Sequence, residues 1–311
     1  MKTFLMCEPE YFEVSYAINP WMTANIGRVN RALAAQQWRQ LYDTLLQHAS
    51  IKLIAPVAGL PDMVFTANAG LVSKQTGLTR MPIQTMKLTT PVSPSLTLAR
   101  RGERSEGGGA EQTNLSASHT LKEVIVSSFR HAERQGESPH YKKFFSDAHY
   151  QIKVIGTDII FEGAGDALFD TAGELWFGSG PRSDAAAVSE IAAALQVEIN
   201  PLELVDPRWY HLDTAFCPLV DGYALAYKKA FSAASATILQ HKLGGKVIWV
   251  SDEDAINFAC NAICLDHKVI LYRASTELKA VLKRYNFTVI EIDVSEFMKS
   301  GGSCKCMTLE I

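Results

Sequence analysis

The sequence predicts an α/β fold, a closed propeller of five ββαβ repeats with pseudo-fivefold symmetry, in one domain spanning residues 1–311. Three observations predict it. Five short motifs each carry one polar residue at a matching place: Asn68, Asp166, Asp213, Asn261 and Cys306, separated by 98, 47, 48 and 45 residues. A segment of foreign composition accounts for the long first gap, and without it the chain divides into five units of roughly 53 residues, the spacing of a repeat architecture. Between the motifs lie hairpin signals followed by helical patterns. Radial repetition of such units closes a propeller and brings equivalent positions toward one axis. The five polar residues are therefore expected to line one pocket.

The elements follow in chain order. Residues 27–48 read as a helix. The run Phe65-Thr66-Ala67-Asn68-Ala69-Gly70-Leu71-Val72 opens a hairpin that returns through Val124-Ile125-Val126, both rich in branched residues. Residues 79–120 interrupt this hairpin with three prolines, the triplet Gly107-Gly108-Gly109 and many Ser and Thr. Such a composition buries too little surface to offset chain entropy, so it reads as a flexible insertion at a hairpin tip, where length costs little. Phe161–Phe169 starts the next unit, with Thr171-Ala172-Gly173 turning into Leu175-Trp176-Phe177. Residues 183–195 read as a helix capped by Ser183 or Asp184. His211–Cys217 reads as a strand, followed by an Asp221-Gly222 turn into Tyr223–Tyr227. Asn257–Cys264 and Ser303–Leu309 are the last two motifs, separated by a helix over 275–285 with Ser275 and Thr276 in its cap.

Composition narrows the function. The chain holds 30 Lys and Arg against 33 Asp and Glu, a net charge of −3. That balance argues against nucleic acid or an anionic membrane as a partner. Hydrophobic residues at 47% allow a real core. The start reaches Glu8 and Pro9 after a short apolar run, too short for a signal-peptide core, and no stretch is long enough to span a membrane. Six scattered cysteines do not make a disulfide scaffold. The expected setting is cytoplasmic, with free thiols. A homo-oligomer is compatible with these features.

The motifs bring together Asn68, Glu162, Asp166, His211, Asp213 and Cys306. A cysteine attacks as thiolate, and a histidine beside it can take and return the proton. Several carboxylates in one apolar-walled pocket are costly unless they meet a cation, and a planar guanidinium satisfies them with paired hydrogen bonds. Cys304 and Cys306 could serve as metal ligands, but no second pair has zinc spacing, so no metal is expected. Gly163 and Gly165 fit no phosphate-loop pattern and are expected where backbone must come close.

The strings FTAN, FEGAGDAL, GSGPRSD, HLDTAF and GGSCKCMTLE resemble the guanidino-group modifying enzymes, also called amidinotransferases or penteins. The likeness covers the whole chain outside the inserted segment. It implies a five-bladed α/β propeller and cysteine-dependent hydrolysis with no metal or organic cofactor. By the same resemblance Cys306 is the nucleophile, His211 the general acid and base, and Glu162 a further catalytic group. Asp213 and Asp166 would bind the guanidinium, and Arg182 would clamp the substrate carboxylate. Arg130 and Arg134 fall in a basic segment near the substrate, or pair with Glu133 and Glu137 as structure.

FTAN at Phe65–Asn68, with Asn rather than Asp at its end, and Ile18-Asn19-Pro20-Trp21-Met22 look most like the arginine dihydrolase branch. That likeness implies Asn19 and Asn68 as substrate contacts, a small-molecule substrate that is arginine or a methylated arginine, and ornithine, carbon dioxide and ammonia as products. The alternatives are an arginine deiminase or dimethylargininase stopping at citrulline, and a non-catalytic propeller or an enzyme inactivated by its insertion.

Overall fold

The computed structural model describes residues 1–73 and 122–311. The predicted insertion at 79–120 lies outside the described residues. Among those described, five three-stranded sheets form, and each is built in the same way.

Strand β1 (Thr3–Cys7), helix α1 (Arg31–Leu46) and strand β2 (Ser50–Ile54) make the first unit. The second is β3 (Gly70–Ser73), β4 (Glu123–Val126), α2 (Ala132–Gln135), α3 (Glu137–Asp147) and β5 (Gln151–Lys153). The third is β6 (Ala167–Phe169), β7 (Leu175–Ser179), α4 (Ala187–Leu195) and β8 (Ile199–Glu203). The fourth runs from α5 (Leu212–Ala215) through β9 (Phe216–Pro218), β10 (Ala224–Ala226) and α6 (Ala233–Leu243) to β11 (Val247–Trp249). The fifth is α7 (Asp252–Ile256), β12 (Ile263–Leu265), β13 (Lys268–Leu271), α8 (Thr276–Arg284) and β14 (Thr288–Glu291). After α9 (Ser295–Met298) the chain ends in β15 (Leu309–Glu310), which returns to the first unit.

In every sheet the middle strand pairs antiparallel on one side and parallel on the other. This is the ββαβ repeat read from the sequence: a hairpin, then a helical crossover to a parallel strand. Strand β1 plays the middle role in its sheet, flanked by β15 and β2, so the last residues of the chain complete the first unit.

Local chemistry explains the connections. At the β9–β10 turn both Asp221 and Gly222 have positive φ, 58° and 76°, as the predicted Asp-Gly turn requires. At the β6–β7 turn the Asp170 carboxylate accepts from the amides of Ala172 and Glu174. Helices α1, α6 and α8 are capped by Asn30, Ser232 and Ser275, each accepting from the amide three residues on. Helix α1 buries Ala34, Trp38, Leu41 and Leu45 along one stripe. Ser73 pairs with Glu123, so the interrupted hairpin of the second unit is closed.

Two local expectations are corrected. Helix α4 begins at Ala187 rather than 183, because the side chains expected to cap it are used elsewhere. Ser183 Oγ donates to Asp166, and Asp184 accepts from the amide of Ile160 and from Arg130. His211–Ala215 is not a strand: His211 caps the single turn of α5, with the Thr214 amide bonded to the His211 carbonyl. The period-two pattern of His211 and Asp213 was produced by a helical turn just ahead of β9.

Candidate active site

The turn that displaces the predicted strand recurs. In each unit the polar position of the repeat sits one to three residues before the strand that opens the hairpin: Asn68 before β3, Asp166 before β6, Asp213 before β9, Asn261 before β12 and Cys306 before β15. All five side chains are buried. Glycine permits the crowding here. A Cβ on Gly165 would stand 2.3 Å from Asn68 Nδ2 and 3.3 Å from the His211 ring. Gly163, at φ 64°, is pressed against the backbone of Gly70.

Three of the five form one group. The Asn261 amide donates to Cys306 Sγ (3.1 Å) and its oxygen accepts from the Cys306 amide (3.1 Å). Cys306 Sγ lies 3.5 Å from Asp213 Oδ2. Burial, then the adjacent Asp213, pushes the Cys306 thiol well above its ordinary value. Burial also raises Asp213 to about 6, against the pull of Lys305 and of its hydrogen bonds to Cys306 and Asn261.

A second group surrounds His211. Its Nε2 is 2.7 Å from Glu162 Oε2 and 3.9 Å from Asp166 Oδ2. Glu162 also accepts from Arg182 Nη1 (3.0 Å) and from the Arg130 amide (3.1 Å). Burial alone would raise Glu162; Arg182, His211 and Arg134 override it and hold the carboxylate well below its usual range. Burial pushes His211 down to about 4, with Glu162 only partly opposing, so the imidazole is neutral near pH 7. Asp166 is held by Ser183 Oγ (2.6 Å) and the Leu212 amide (2.9 Å), and burial lifts it well above the carboxylate range.

A third group is basic. Arg134 makes two 2.8 Å bonds to Glu137 and donates to Asn68 Oδ1 (3.0 Å). Asn68 in turn donates to the Glu162 carbonyl (2.8 Å), which fixes its amide. Arg182 lies over the Tyr210 ring, 4.6 Å from its centroid, and donates to the Ile18 carbonyl. Tyr210 is anchored by its hydroxyl to the Gly301 carbonyl (2.9 Å).

These groups meet at a cavity of about 270 Å³ lined by Ile18, Asn19, Asp62, Phe65, Asn68, Arg134, Arg182, Tyr210, His211, Ser300 and Cys306. Of the residues singled out from sequence, Cys306, His211, Asn68, Asn19, Arg182 and Arg134 line it. Asp213, Glu162 and Asp166 stand behind that lining, against Cys306 or His211. Arg130 is not brought in: its guanidinium bonds Asp184 and the Arg182 carbonyl, at the partly exposed edge. Asn19 reaches the cavity with its amide bonded to the Ser300 carbonyl and to the amides of Trp21 and Met22.

Several lining residues were not found by sequence reading. Asp62 is buried and takes hydrogen bonds from Tyr16 (2.8 Å) and Ser300 (3.3 Å). Its signal was its place three residues before the Phe65–Asn68 motif. Tyr210, next to His211, offered only adjacency. Among the described residues no group of acidic, His and Cys side chains is arranged to hold a metal ion. No helix among them is long and apolar enough to cross a membrane. Cys304 is buried, and burial pushes its thiol up to about 12.

The model of the eukaryotic N,N-dimethylarginine dimethylhydrolase family matches residues 112–311. The N(G),N(G)-dimethylarginine dimethylaminohydrolase of Mycobacterium tuberculosis is 35% identical over 312 residues, covering all of this chain and 86% of that protein. The chain belongs to the dimethylarginine dimethylaminohydrolase family of penteins. It is also similar to the bifunctional arginine dihydrolase/ornithine cyclodeaminase AgrE of Nostoc sp., 38% identical over 310 residues. This chain matches over 99% of its own length but spans only 37% of AgrE. The N-terminal domain of ArgZ, a cyanobacterial arginine dihydrolase, superposes with a TM-score of 0.83 at 37% identity. It covers 100% of this chain and 98% of the ArgZ domain, which was solved as a cysteine-to-serine variant with its substrate. An asparagine-to-serine variant of the same domain, covalently bound to a reaction intermediate, matches equally well, with a TM-score of 0.83. The α/β fold is thus that of a dihydrolase-type pentein.

Asp213→Asn tests the electrostatics of this family member's site. A carboxyl whose pKa is raised on folding adds stability below its unfolded value, near 4, and loses it as pH rises through about 6. Asparagine removes that loss. At pH 7–8 the variant is expected to be more stable by on the order of 1–3 kcal/mol, while at pH 4 the two proteins converge. Thermal melts across that range measure it; a variant less stable at pH 7.5 than at pH 4 relative to the parent contradicts the reading.

Proposed function

We propose that the protein is an arginine dihydrolase: it hydrolyses the guanidinium of free L-arginine through a covalent bond to Cys306, giving ornithine, carbon dioxide and two ammonia. The observation that carries this is the convergence on one small cavity of Cys306, backed by Asp213 and Asn261, with the neutral imidazole of His211 and the buried guanidinium of Arg182.

At rest the site holds a thiol and an imidazole, both neutral. An arriving guanidinium brings a cation beside Asp213 and Cys306 and so stabilises a thiolate. The Cys306 proton passes to His211. The thiolate adds to the central guanidinium carbon, and one terminal nitrogen leaves as ammonia with the proton from His211. Water, losing a proton to His211, adds to the thiouronium carbon and expels the thiolate, leaving a ureido group. A second round on the ureido carbon releases the second ammonia and a carbamate that breaks down to ornithine and carbon dioxide. Atoms balance as arginine plus two waters. Glu162 orients His211 and stabilises its cation, and Asp166 supports the same ring. Arg182 and Arg134 provide positive charge for the substrate carboxylate, and Asp62 negative charge for its α-amino group. Asn68, fixed by Arg134 and the Glu162 carbonyl, faces the bound ureido product and helps retain it.

The same reading arranges the five sheets as blades about one axis. Supporting it, the five equivalent residues gather at one site, and β1, β3, β6, β9 and β12 all contribute to two adjoining depressions that share Lys305. The chain is then one catalytic domain.

A second reading, removal of dimethylamine from a methylated arginine to give citrulline, is favoured by the family model and the mycobacterial relative. Assaying arginine, asymmetric dimethylarginine and agmatine side by side separates them. The dihydrolase reading expects arginine to have the highest kcat/KM by at least about tenfold. It also expects agmatine to be the poorest, since it lacks the carboxylate that Arg182 would bind, an ion pair with charge-assisted hydrogen bonds. Faster turnover of dimethylarginine than of arginine overturns it.

A further inference from the structure

Four of the five equivalent polar residues, Asn68, Asp166, Asp213 and Cys306, take part in the proposed reaction; Asn261 is the fifth. It is fully buried and lies outside the lining of the substrate cavity. Its backbone is set by the turn between α7 and β12, where its amide donates to the Phe258 carbonyl (2.8 Å) and Phe258 has φ 54°. Every polar atom of its side chain is used. Nδ2 donates to the Asp213 carbonyl (3.0 Å) and to Cys306 Sγ (3.1 Å), and Oδ1 accepts from the Cys306 amide (3.1 Å). Two of these partners have fixed roles, since a peptide N–H only donates and a carbonyl only accepts. Turning the amide over would set its oxygen against the Asp213 carbonyl and its NH₂ against the Cys306 N–H. The orientation is therefore decided by the backbone, and an N–H of Asn261 is aimed at the sulfur.

We propose that Asn261 is a further catalytic residue: a fixed hydrogen-bond donor to Cys306 Sγ that favours the thiolate over the thiol. This rests on the reading of Cys306 as nucleophile. A neutral thiol is a weak acceptor, whereas a hydrogen bond to an ionised acceptor is roughly twice as strong as one between neutral groups. The Asn261 bond therefore gains strength as the proton leaves for His211, which is the kind of interaction that lowers a barrier. Asn261 is the one side chain among the described residues that donates to Sγ; the backbone of Ser303 acts in the same direction. The Asp213 carboxylate, 3.5 Å from Sγ, can accept the thiol proton but gives nothing to a thiolate. The ionisable groups facing the thiol are Asp213 and, around the cavity, Asp62, Arg134, Arg182, Tyr210 and His211, while the side chain of the preceding Lys305 lines other depressions. Asn261 does not titrate, so it acts alike at every working pH. It holds the sulfur from outside the cavity lining, and its bond persists with substrate in place.

The test is the rate at which iodoacetamide alkylates Cys306, read by peptide mass at pH 8 in the parent, Asn261→Ala and Asn261→Ser. The reagent is neutral and reacts with the thiolate. Asn261→Ala is expected to alkylate about tenfold more slowly, the effect of losing one hydrogen bond to a charged acceptor. Truncation widens the way to the sulfur and frees the Cys306 segment, and both changes would speed alkylation if Asn261 were only structural. A slowing therefore reads the loss of thiolate. Asn261→Ser is gentler on the fold, with a hydroxyl too short to reach the sulfur, and should slow by a similar factor. Melting temperatures in the same samples identify the folded variants. On whichever of arginine and dimethylarginine the parent turns over faster, kcat should fall about tenfold or more while KM changes less than about threefold, because Asn261 does not line the cavity. Alkylation as fast as in the parent or faster in a folded variant, or a loss confined to KM, overturns the proposal. Alkylation needs no turnover, so a failure of the dihydrolase reading would appear in product analysis and leave this measurement standing.

Discussion

Replacing Cys306 by alanine is expected to lower arginine turnover by about 10⁵-fold or more, the scale seen when a nucleophile is removed from a covalent mechanism. Arginine binding should change only a few-fold. The cavity residues proposed to meet the carboxylate and α-amino ends, Arg182, Arg134 and Asp62, are held by partners other than the thiol. The Asp213 carboxylate stays and loses only a weak neighbour. Steady-state assays and calorimetric titration with arginine separate the two effects. Unchanged turnover would refute the nucleophile assignment. Lost binding with a normal melting curve would show that the thiol belongs to the binding surface instead.

Glu162→Gln should be the most destabilising single change at the site. The Glu162 side chain is fully buried and answers three donors: Arg182, His211 and the Arg130 amide. Glutamine keeps the shape but removes the charge and turns an N–H₂ toward other donors. The Arg182 cation is then buried without its partner. Breaking a buried pair from one side costs about 3–5 kcal/mol. Urea denaturation should report a loss of that order, and turnover should fall at least about 100-fold as His211 loses its orienting carboxylate. A loss below about 1 kcal/mol would mean that Ser183, the Ile18 carbonyl and Tyr210 suffice to hold the region.

Much of this architecture was legible in the sequence, for physical reasons. The repeat could be read because each unit needs one polar residue at the turn before its first strand, and the spacing of Asn68, Asp166, Asp213, Asn261 and Cys306 records that need. The turns could be read because Asp221-Gly222 and Asp170 solve local backbone problems. What misled was period. His211 and Asp213 are two apart, as on a strand face, yet they lie on a helical turn whose carbonyls and amides are bonded within a few residues. Ser183 and Asp184 looked like helix caps because nothing local reveals that Asp166 and Arg130 compete for them.

The site was read less completely than the fold. Cys306 and His211 stood out because few residue types can do their chemistry. Asp62, Tyr210 and the Asn261 contact with Cys306 depend on which units face one another, and only tertiary structure supplies that. Of Arg130 and Arg134, the sequence pointed to Arg130 as the substrate contact, whereas Arg134 is the one that lines the cavity. They are four residues apart, Arg130 just before α2 and Arg134 within it, and burial decides between them: Arg134 is enclosed beside Asn68 and Asp62, whereas Arg130 reaches Asp184 at the surface.

Dihydrolase chemistry is decided by the fate of the guanidino carbon. Arginine carrying ¹³C at that carbon, incubated with the purified protein and followed by NMR, should deliver its label to bicarbonate and carbon dioxide. Unlabelled ornithine and two equivalents of ammonia should accumulate with it, and nothing should happen with Cys306→Ala. Label that accumulates in citrulline as the final product, or that remains in arginine, would contradict it.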